Sequence, residues 1–250
     1  MMGGTLLLLG RAGCELHYMT LSSGSLGSSV HSAARTRILR RKEAQEGAKS
    51  LGAIWHPSLA DDLEIFYDRR TLRRLSAVIR EVQPQILLTH SPVDYMEDHT
   101  NTCRLSVTAA FARGMPNFRS TPPRKPFSTD ITLYHAMPHM LRDSLGWRIV
   151  PESFINITPV LKEKRQAAAA HRSQKEWLDV SQGMDSYLEA IEVASRDVGR
   201  RSRNFRYAEG WRRHLHVGFC DAAADPMRRL LGRNHQMNRE YARLLEAGRS

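Results

Sequence analysis

Cysteine is scarce. Cys14, Cys103 and Cys220 are the three in a chain of 250 residues, and they stand far apart. They form no CxxC pair and no disulfide framework, which excludes a disulfide-stapled secreted scaffold and fits a reducing, cytoplasmic setting. Long apolar runs are missing too. None approaches the ~18 residues that a membrane span needs. Leu6 to Leu9 is short and follows no basic segment, so it makes a poor signal peptide. Acidic residues are outnumbered, 26 against 37 Lys and Arg, for a formal net charge of +11. A basic balance raises nucleic-acid binding as one reading. The bases gather at 35–42, 68–74 and 196–203, with no aromatic-interleaved RNA-binding strand and no zinc finger beside them. Solvated helical faces explain them more simply, and nucleic acid is the disfavoured partner.

What is present is a soluble globular composition, 41% hydrophobic and 25% charged. The length suits one α/β domain with or without an extension. The pattern predicts a helix end near Thr5–Leu9 capped by Gly13, a strand over 15–21 and a small-residue loop over 22–29. A helix over 36–51 and a short strand at 53–55 follow. Leu72, Leu75, Ile79 and Val82, spaced by three and four, mark the next helix. Pro84 ends it before a strand at 85–89. This alternation predicts a mostly parallel sheet with helices on both faces. Residues 114–129 hold four prolines and read as a loop of lid type. Further strands are expected at 131–135 and 154–158. A long helix is expected from about Val160 to Trp177, another from about Gln182 to Val198, and a basic helical extension over 221–250 behind a domain at 1–220.

The stretch 86–105, ILLTHSPVDYMEDHTNTCRL, carries the densest chemistry. A buried strand ends at Thr89-His90. A polar loop with Asp94, Glu97, Asp98 and His99 follows, and an apolar helical pattern resumes at Cys103. Ligands bind over the carboxyl ends of strands in open α/β sheets. Three carboxylates and two imidazoles in ten residues suit a metal-assisted or acid/base site. A solvated turn with an aspartate near a helix start has the same local signature.

The order of several phrases is similar to the LmbE-like, or PIG-L type, N-deacetylases. The phrases are Gly3-Gly-Thr-Leu6, Thr20-Leu-Ser-Ser-Gly24, Arg40-Arg-Lys-Glu-Ala44, Leu88-Thr-His90, Asp94-Tyr-Met-Glu-Asp-His99, Asn156-Ile-Thr158 with Lys164 and His171-Arg-Ser-Gln174, and Tyr207-Ala-Glu-Gly-Trp211. The resemblance implies a Rossmann-like three-layer fold and zinc-dependent removal of an N-acetyl group from an amino-sugar conjugate. It implies His99 as a zinc ligand, with Asp98 beside it in the chemistry. It implies Arg40 and Ser23 on the substrate side, with Ser25 in the same loop and His171 and Gln174 as braces of the fold.

Two departures stand out. The family's His-Pro-Asp-Asp phrase, which supplies two zinc ligands and the base, does not precede Gly3-Gly4. His56-Pro-Ser-Leu-Ala-Asp-Asp62 resembles it only superficially, with the wrong spacing. A start site placed too far downstream, or a truncated gene with its first strand lost, is the expectation, together with inactivity of residues 1–250 alone. The second departure is Met96, where relatives place a histidine that polarises the substrate carbonyl. His90 or Tyr95 is the substitute on offer. A catalytically dead binding module is the second reading, and a basic nucleic-acid-binding protein the third.

Overall fold

A computed structural model describes residues 2–182 and 187–248. The elements in order are α1 (Gly3–Arg11), β1 (Leu16–Met19), α2 (Ala33–Ser50), β2 (Ala53–His56), α3 (Arg69–Val82), β3 (Ile86–Thr89), α4 (Glu97–Phe111), β4 (Thr132–Ala136), β5 (Ser153–Asn156), α5 (Leu161–Ala169), α6 (Arg172–Gln182), α7 (Tyr187–Ser202), β6 (Ala208–Arg213), α8 (Pro226–Leu231), β7 (His235–Met237) and α9 (Arg239–Glu246). The class is α/β, as the alternation of periods predicts. Among the described residues, no helix is long and apolar enough to cross a membrane.

Two compact units interleave along the chain. The first comprises residues 1–62, 154–210 and 230–237. In it β1 and β2 pair in parallel, Leu16 opposite Ala53 and Met19 opposite His56. Helix α2 starts on Ser32, whose hydroxyl accepts from Arg35 N, and it packs against β2, α5 and α6. The stretch expected as one helix from Val160 to Trp177 breaks at Ala170–His171. The reason is a cap. Glu43 on α2 accepts from Ser173 N at 2.9 Å and from Ser173 Oγ at 2.7 Å, so a new helix begins there. His171 packs against Gly47, where a Cβ would sit 2.9 Å from its Nε2. The helix expected from Gln182 crosses 183–186, which lie outside the described residues; its described part is α7.

The second unit comprises residues 63–153, 211–229 and 238–250. Its core is β4, buried at all five positions. One side of β4 pairs in parallel with β3, Ile86 opposite Thr132 and Thr89 opposite His135. The other side pairs antiparallel with the end of β6, Ala136 opposite Trp211. The parallel pairs match the sequence expectation; the antiparallel neighbour makes the sheet mixed. Helix α3 is capped by Asp68, which accepts from Thr71 N and Thr71 Oγ1 at 2.9 Å, and it ends on Gln83 in the left-handed region before Pro84. The basic segment expected to be helical near the carboxyl end holds α8 and α9, with β7 between them.

Residues 115–129 are irregular. They are pinned from within. Arg80, 3% exposed, donates to the carbonyls of Ala112, Arg113, Met115 and Arg124 at 2.8–3.3 Å. Arg113 donates to Ala110, Thr129, Gly218 and Phe219 carbonyls at 2.9–3.1 Å. Two buried cations thus satisfy carbonyls that lie outside any ladder.

In the first unit a buried carboxylate closes the start of α1. Glu209 accepts from Gly4 N at 2.9 Å, Thr5 N at 2.7 Å and Thr5 Oγ1 at 2.6 Å, and pairs with Lys164 Nζ at 2.9 Å. Lys164 Nζ also donates to Ser195 Oγ on α7. Burial alone would push the Glu209 carboxyl up; the Lys164 charge and the Thr5 hydrogen bond overcome it and hold the group below its usual range. A depressed carboxyl contributes stability above its unfolded value of about 4.3 and loses it as pH falls through the folded value. Glu209→Leu leaves the Lys164 charge buried alone, so urea unfolding should show a loss of about 3–5 kcal/mol at neutral pH. In Glu209→Gln the fall in stability between pH 5 and pH 3 should be smaller than in the parent; an equal fall removes Glu209 from the acid response.

Candidate metal centre

Strand β3 delivers the site. Its fully extended run ends at Thr89, and the chain leaves the sheet at His90. Thr89 Oγ1 is buried with no hydrogen-bond partner. The loop from His90 to Met96 turns on Asp94, whose Oδ1 accepts from Met96 N at 3.1 Å. That turn starts α4, and Glu97 and Asp98 in the first helical turn complement the helix dipole. His99 therefore faces back over the loop. Its Nδ1 lies 3.1 Å from Asp94 Oδ1. The His90 and His99 rings stack 4.2 Å apart at 8°.

His90, Asp94 and His99 form the group able to hold a metal ion among the described residues: one ligand atom from each, all within 4.8 Å of one another. Burial and the neighbouring His99 push the His90 imidazole down to about 3, so it stays neutral with a lone pair to give. Burial would raise the Asp94 carboxyl; the hydrogen bond from His99 reverses this and holds it below its usual range. The Asp94 side chain is 2% exposed and His99 33% exposed, so the group has a dry carboxylate at its base and an imidazole toward solvent.

A second layer of histidines supports His90. His135 on β4 has Nδ1 2.8 Å from the His90 carbonyl oxygen. A carbonyl only accepts, so Nδ1 carries the proton. Burial pushes this imidazole down to about 4, which leaves Nε2 bare. His214 Nδ1, 2.9 Å away, must then donate to it. Cys103 Sγ lies 3.5 Å from His135 Nδ1, and burial pushes that thiol up to about 12.

The other sequence candidates fall as follows. Asp98 is buried and accepts from Leu63 N at 2.9 Å, so its carboxylate ties the start of α4 to the segment before α3. Tyr95 stands edge-on to His99 with centroids 6.0 Å apart and is exposed. Met96 caps α4 through its backbone. Arg40 and Ser23 belong to the first unit. Ser23 Oγ hydrogen-bonds Asp61, and Arg37 holds the same carboxylate. Asp62 bonds Ser22 and accepts from Gly24 N and Leu26 N at 3.0 and 2.7 Å. The two aspartates of the look-alike phrase 56–62 thus shape the serine loop. Arg40 lies beneath this loop and donates to Gly27 O at 2.9 Å, while its buried Nε has no partner. Gly24, at φ +74°, and Gly27 leave room for it; a Cβ would meet its side chain at 3.1 and 2.8 Å. Ser25 is also buried there, near the Asp61 carboxylate.

The sequence reading places His90 as a substitute donor and leaves Asp94 without a task. It misses His135 and His214, which lie 45 and 124 residues beyond His90 in the chain. The one available signal is a histidine inside an apolar strand. Replacing His135 by Leu removes the donor and leaves the His90 carbonyl buried without it. Urea denaturation should report a loss of about 1–3 kcal/mol, with partial recovery in His135→Asn; an unchanged midpoint in the Leu variant dismisses the support.

Comparison with known proteins gives a consistent frame. Residues 1–110 match the family model described as PIG-L: GlcNAc-PI de-N-acetylase. The chain is 30% identical over 217 residues to the 4-oxalmesaconate hydratase of Pseudomonas putida, covering 83% of this chain and 81% of that protein. It is 29% identical over 223 residues to the diacetylchitobiose deacetylase of Thermococcus kodakarensis, covering 84% and 76%. Among solved structures, the N,N'-diacetylchitobiose deacetylase of Pyrococcus horikoshii superposes with a TM-score of 0.70 at 24% identity, covering 86% of this chain and 79% of that one.

Proposed function

With the chain placed by these matches in the PIG-L family, to which it belongs, we propose that it removes an N-acetyl group from an amino-sugar conjugate with the help of a zinc ion. The observation that carries this reading is the grouping of His90, Asp94 and His99 over the carboxyl end of β3. The donor set fits. Two imidazoles and one carboxylate are a familiar protein complement for catalytic zinc. The unpartnered Thr89 hydroxyl beside them is an orphaned polar atom of the kind a filled site would satisfy. Bound there, the ion would supply Lewis-acid polarisation of an acyl oxygen and acidify water toward pKa ~7.

The chain's own residues do the rest. His90, Asp94 and His99 would hold the ion, and Asp94 Oδ1 also orients the His99 ring through Nδ1. His135 and His214 fix the carbonyl of His90 and so the path of the loop. Asp98, assigned to the chemistry by its place beside His99, acts in this proposal by setting the first turn of α4. Ser23 and Arg40 are kept on the substrate side, Ser23 as a loop hydroxyl and Arg40 as the charge beneath the loop. A thioether at Met96 donates no proton; the exposed Tyr95 hydroxyl is the donor offered in its place. An acetylated amino sugar is supported by the diacetylchitobiose deacetylase relative. Residues 1–250 hold no His-Pro-Asp-Asp phrase, and little or no turnover is proposed for them. Three free, isolated cysteines support a reducing compartment.

A second reading, addition of water to a carbon–carbon double bond, is favoured by one observation: the 30% identical relative is a hydratase. Both readings use the same residues and water. Zinc content by elemental analysis and competition with a chelating dye test the shared part. Loss of an outer-sphere partner alone costs 10–100-fold in metal affinity, so His99→Ala should weaken zinc by ~100-fold or more. Equal zinc in the parent and in His99→Ala ends the proposal. With zinc bound, acetate released from N,N'-diacetylchitobiose selects the deacetylase reading. Hydration of an unsaturated acid with no acetate from the sugar selects the hydratase. A zinc-loaded protein inactive on both supports the binding-module reading.

A further inference from the structure

The sequence singles out Asp68-Arg-Arg-Thr-Leu-Arg-Arg74, and the metal centre makes no use of it. In the second unit this segment lines a cavity of about 460 Å³ with Arg69, Arg70, Arg73, Arg74, Thr121 and Pro122. We propose that this cavity binds a small anion bearing two or more phosphate groups, such as a diphosphate.

Charge is the first argument. Arg69 with Arg73 is an i,i+4 pair of like sign on one helix, a repulsion that an anion between them would relieve. No carboxylate lines the cavity. Among the described residues, Arg69, Arg70 and Arg73 make no ion pair, whereas Arg11, Arg37, Arg124, Arg148, Arg165, Arg196 and Arg201 each hold a carboxylate. The one acid of the segment, Asp68, accepts from Thr71 with both oxygens and also meets the backbone and the charge of Arg70, leaving Arg69 and Arg73 without a carboxylate within salt-bridge distance. Glu81, about two turns beyond Arg74 on the same helix, is held by both Nε and Nη2 of Arg124.

Geometry is the second. Arg73 Nε is buried and has no hydrogen-bond partner, a donor directed at nothing the protein supplies. The facing wall is preformed. Thr121 N donates to Arg73 O at 3.0 Å, Ser120 Oγ to Pro122 O at 2.9 Å and Arg124 N to Ser120 Oγ at 2.9 Å. Planar guanidinium forks match phosphate oxygens two at a time. A nucleic-acid strand is the poorer match, because no aromatic side chain lines the cavity to stack a base.

Titration calorimetry on the full chain tests this, with EDTA present so that metal at His90, Asp94 and His99 plays no part. Inorganic pyrophosphate should bind one to one, and more tightly than orthophosphate. Arg69→Ala/Arg70→Ala, at two exposed positions, should weaken it by about tenfold or more, the loss expected for charge-assisted hydrogen bonds. Arg73→Ala should do the same if it folds, and Arg148→Ala should leave binding unchanged. No heat with pyrophosphate overturns the proposal, as does equal binding by the exposed double variant. Citrate binding as tightly as pyrophosphate overturns the phosphate assignment. A short DNA duplex that binds where pyrophosphate fails to compete makes the patch a nucleic-acid surface and overturns it as well.

Discussion

One buried carboxylate decides whether the first unit closes. Glu209 is reached from the start of α1 through two backbone amides and a hydroxyl, and from α5 through Lys164, which continues to Ser195 on α7. Three helices and strand β6 therefore meet on two side chains. Such a pair is weak evidence for net stability, because desolvation takes back most of the Coulomb gain. Its force is specificity. Any packing that separates Lys164 from Glu209 leaves a charge in an apolar interior. Gly4 belongs to the same constraint: a Cβ there would sit 2.6 Å from the Ile157 side chain, so the helix start can approach only without one.

The second unit is governed by a different economy, in which local turns and remote strands share the placing of one loop. Asp94 does the local part, since one oxygen serves both Met96 N and the His99 ring. The remote part comes through β4, whose register with β3 places His135 opposite Thr89, one residue from the carbonyl it holds. The loop is thus fixed at its first residue by the sheet and at its end by the helix. Side chains held from both ends keep their rotamers, which is what a ligand set requires. Asp98, the residue nearest His99 in sequence, takes the opposite direction and bonds Leu63 N.

The alternation from β1 to α4 was legible because its helices are long enough for their period to be counted, and because Gly13 and Pro84 sit where ends require them. The strands β6 and β7 were not, since Ala208–Arg213 carries two arginines and His235–Met237 is three residues long. The break between α5 and α6 was hidden for another reason. Its cap, Glu43, comes from a helix 130 residues earlier, and no local pattern announces a long-range cap. In the site, His99 was legible through its phrase, whereas Asp94 was visible in the loop only as one carboxylate among three. His135 and His214 were illegible because their partners are a carbonyl and each other, neither of which leaves a mark on residue type.

The charge of the chain divides on the same principle. A count of +11 treats every arginine as surface. Arg40, Arg80 and Arg113 are instead buried, 3–8% exposed, and donate to backbone carbonyls. Burial pulls the Arg40 and Arg80 guanidinium groups below their usual range, yet a guanidinium keeps its proton in a protein, so the donors persist. A lysine could not replace them, because the fork must reach several carbonyls at once. Composition therefore overstates the basic surface: part of the excess is internal scaffolding for the irregular segments 22–27 and 112–129. What remains outside is local, and its densest portion is the arginine turn at the start of α3, where Arg69, Arg70, Arg73 and Arg74 gather on one face of a cavity.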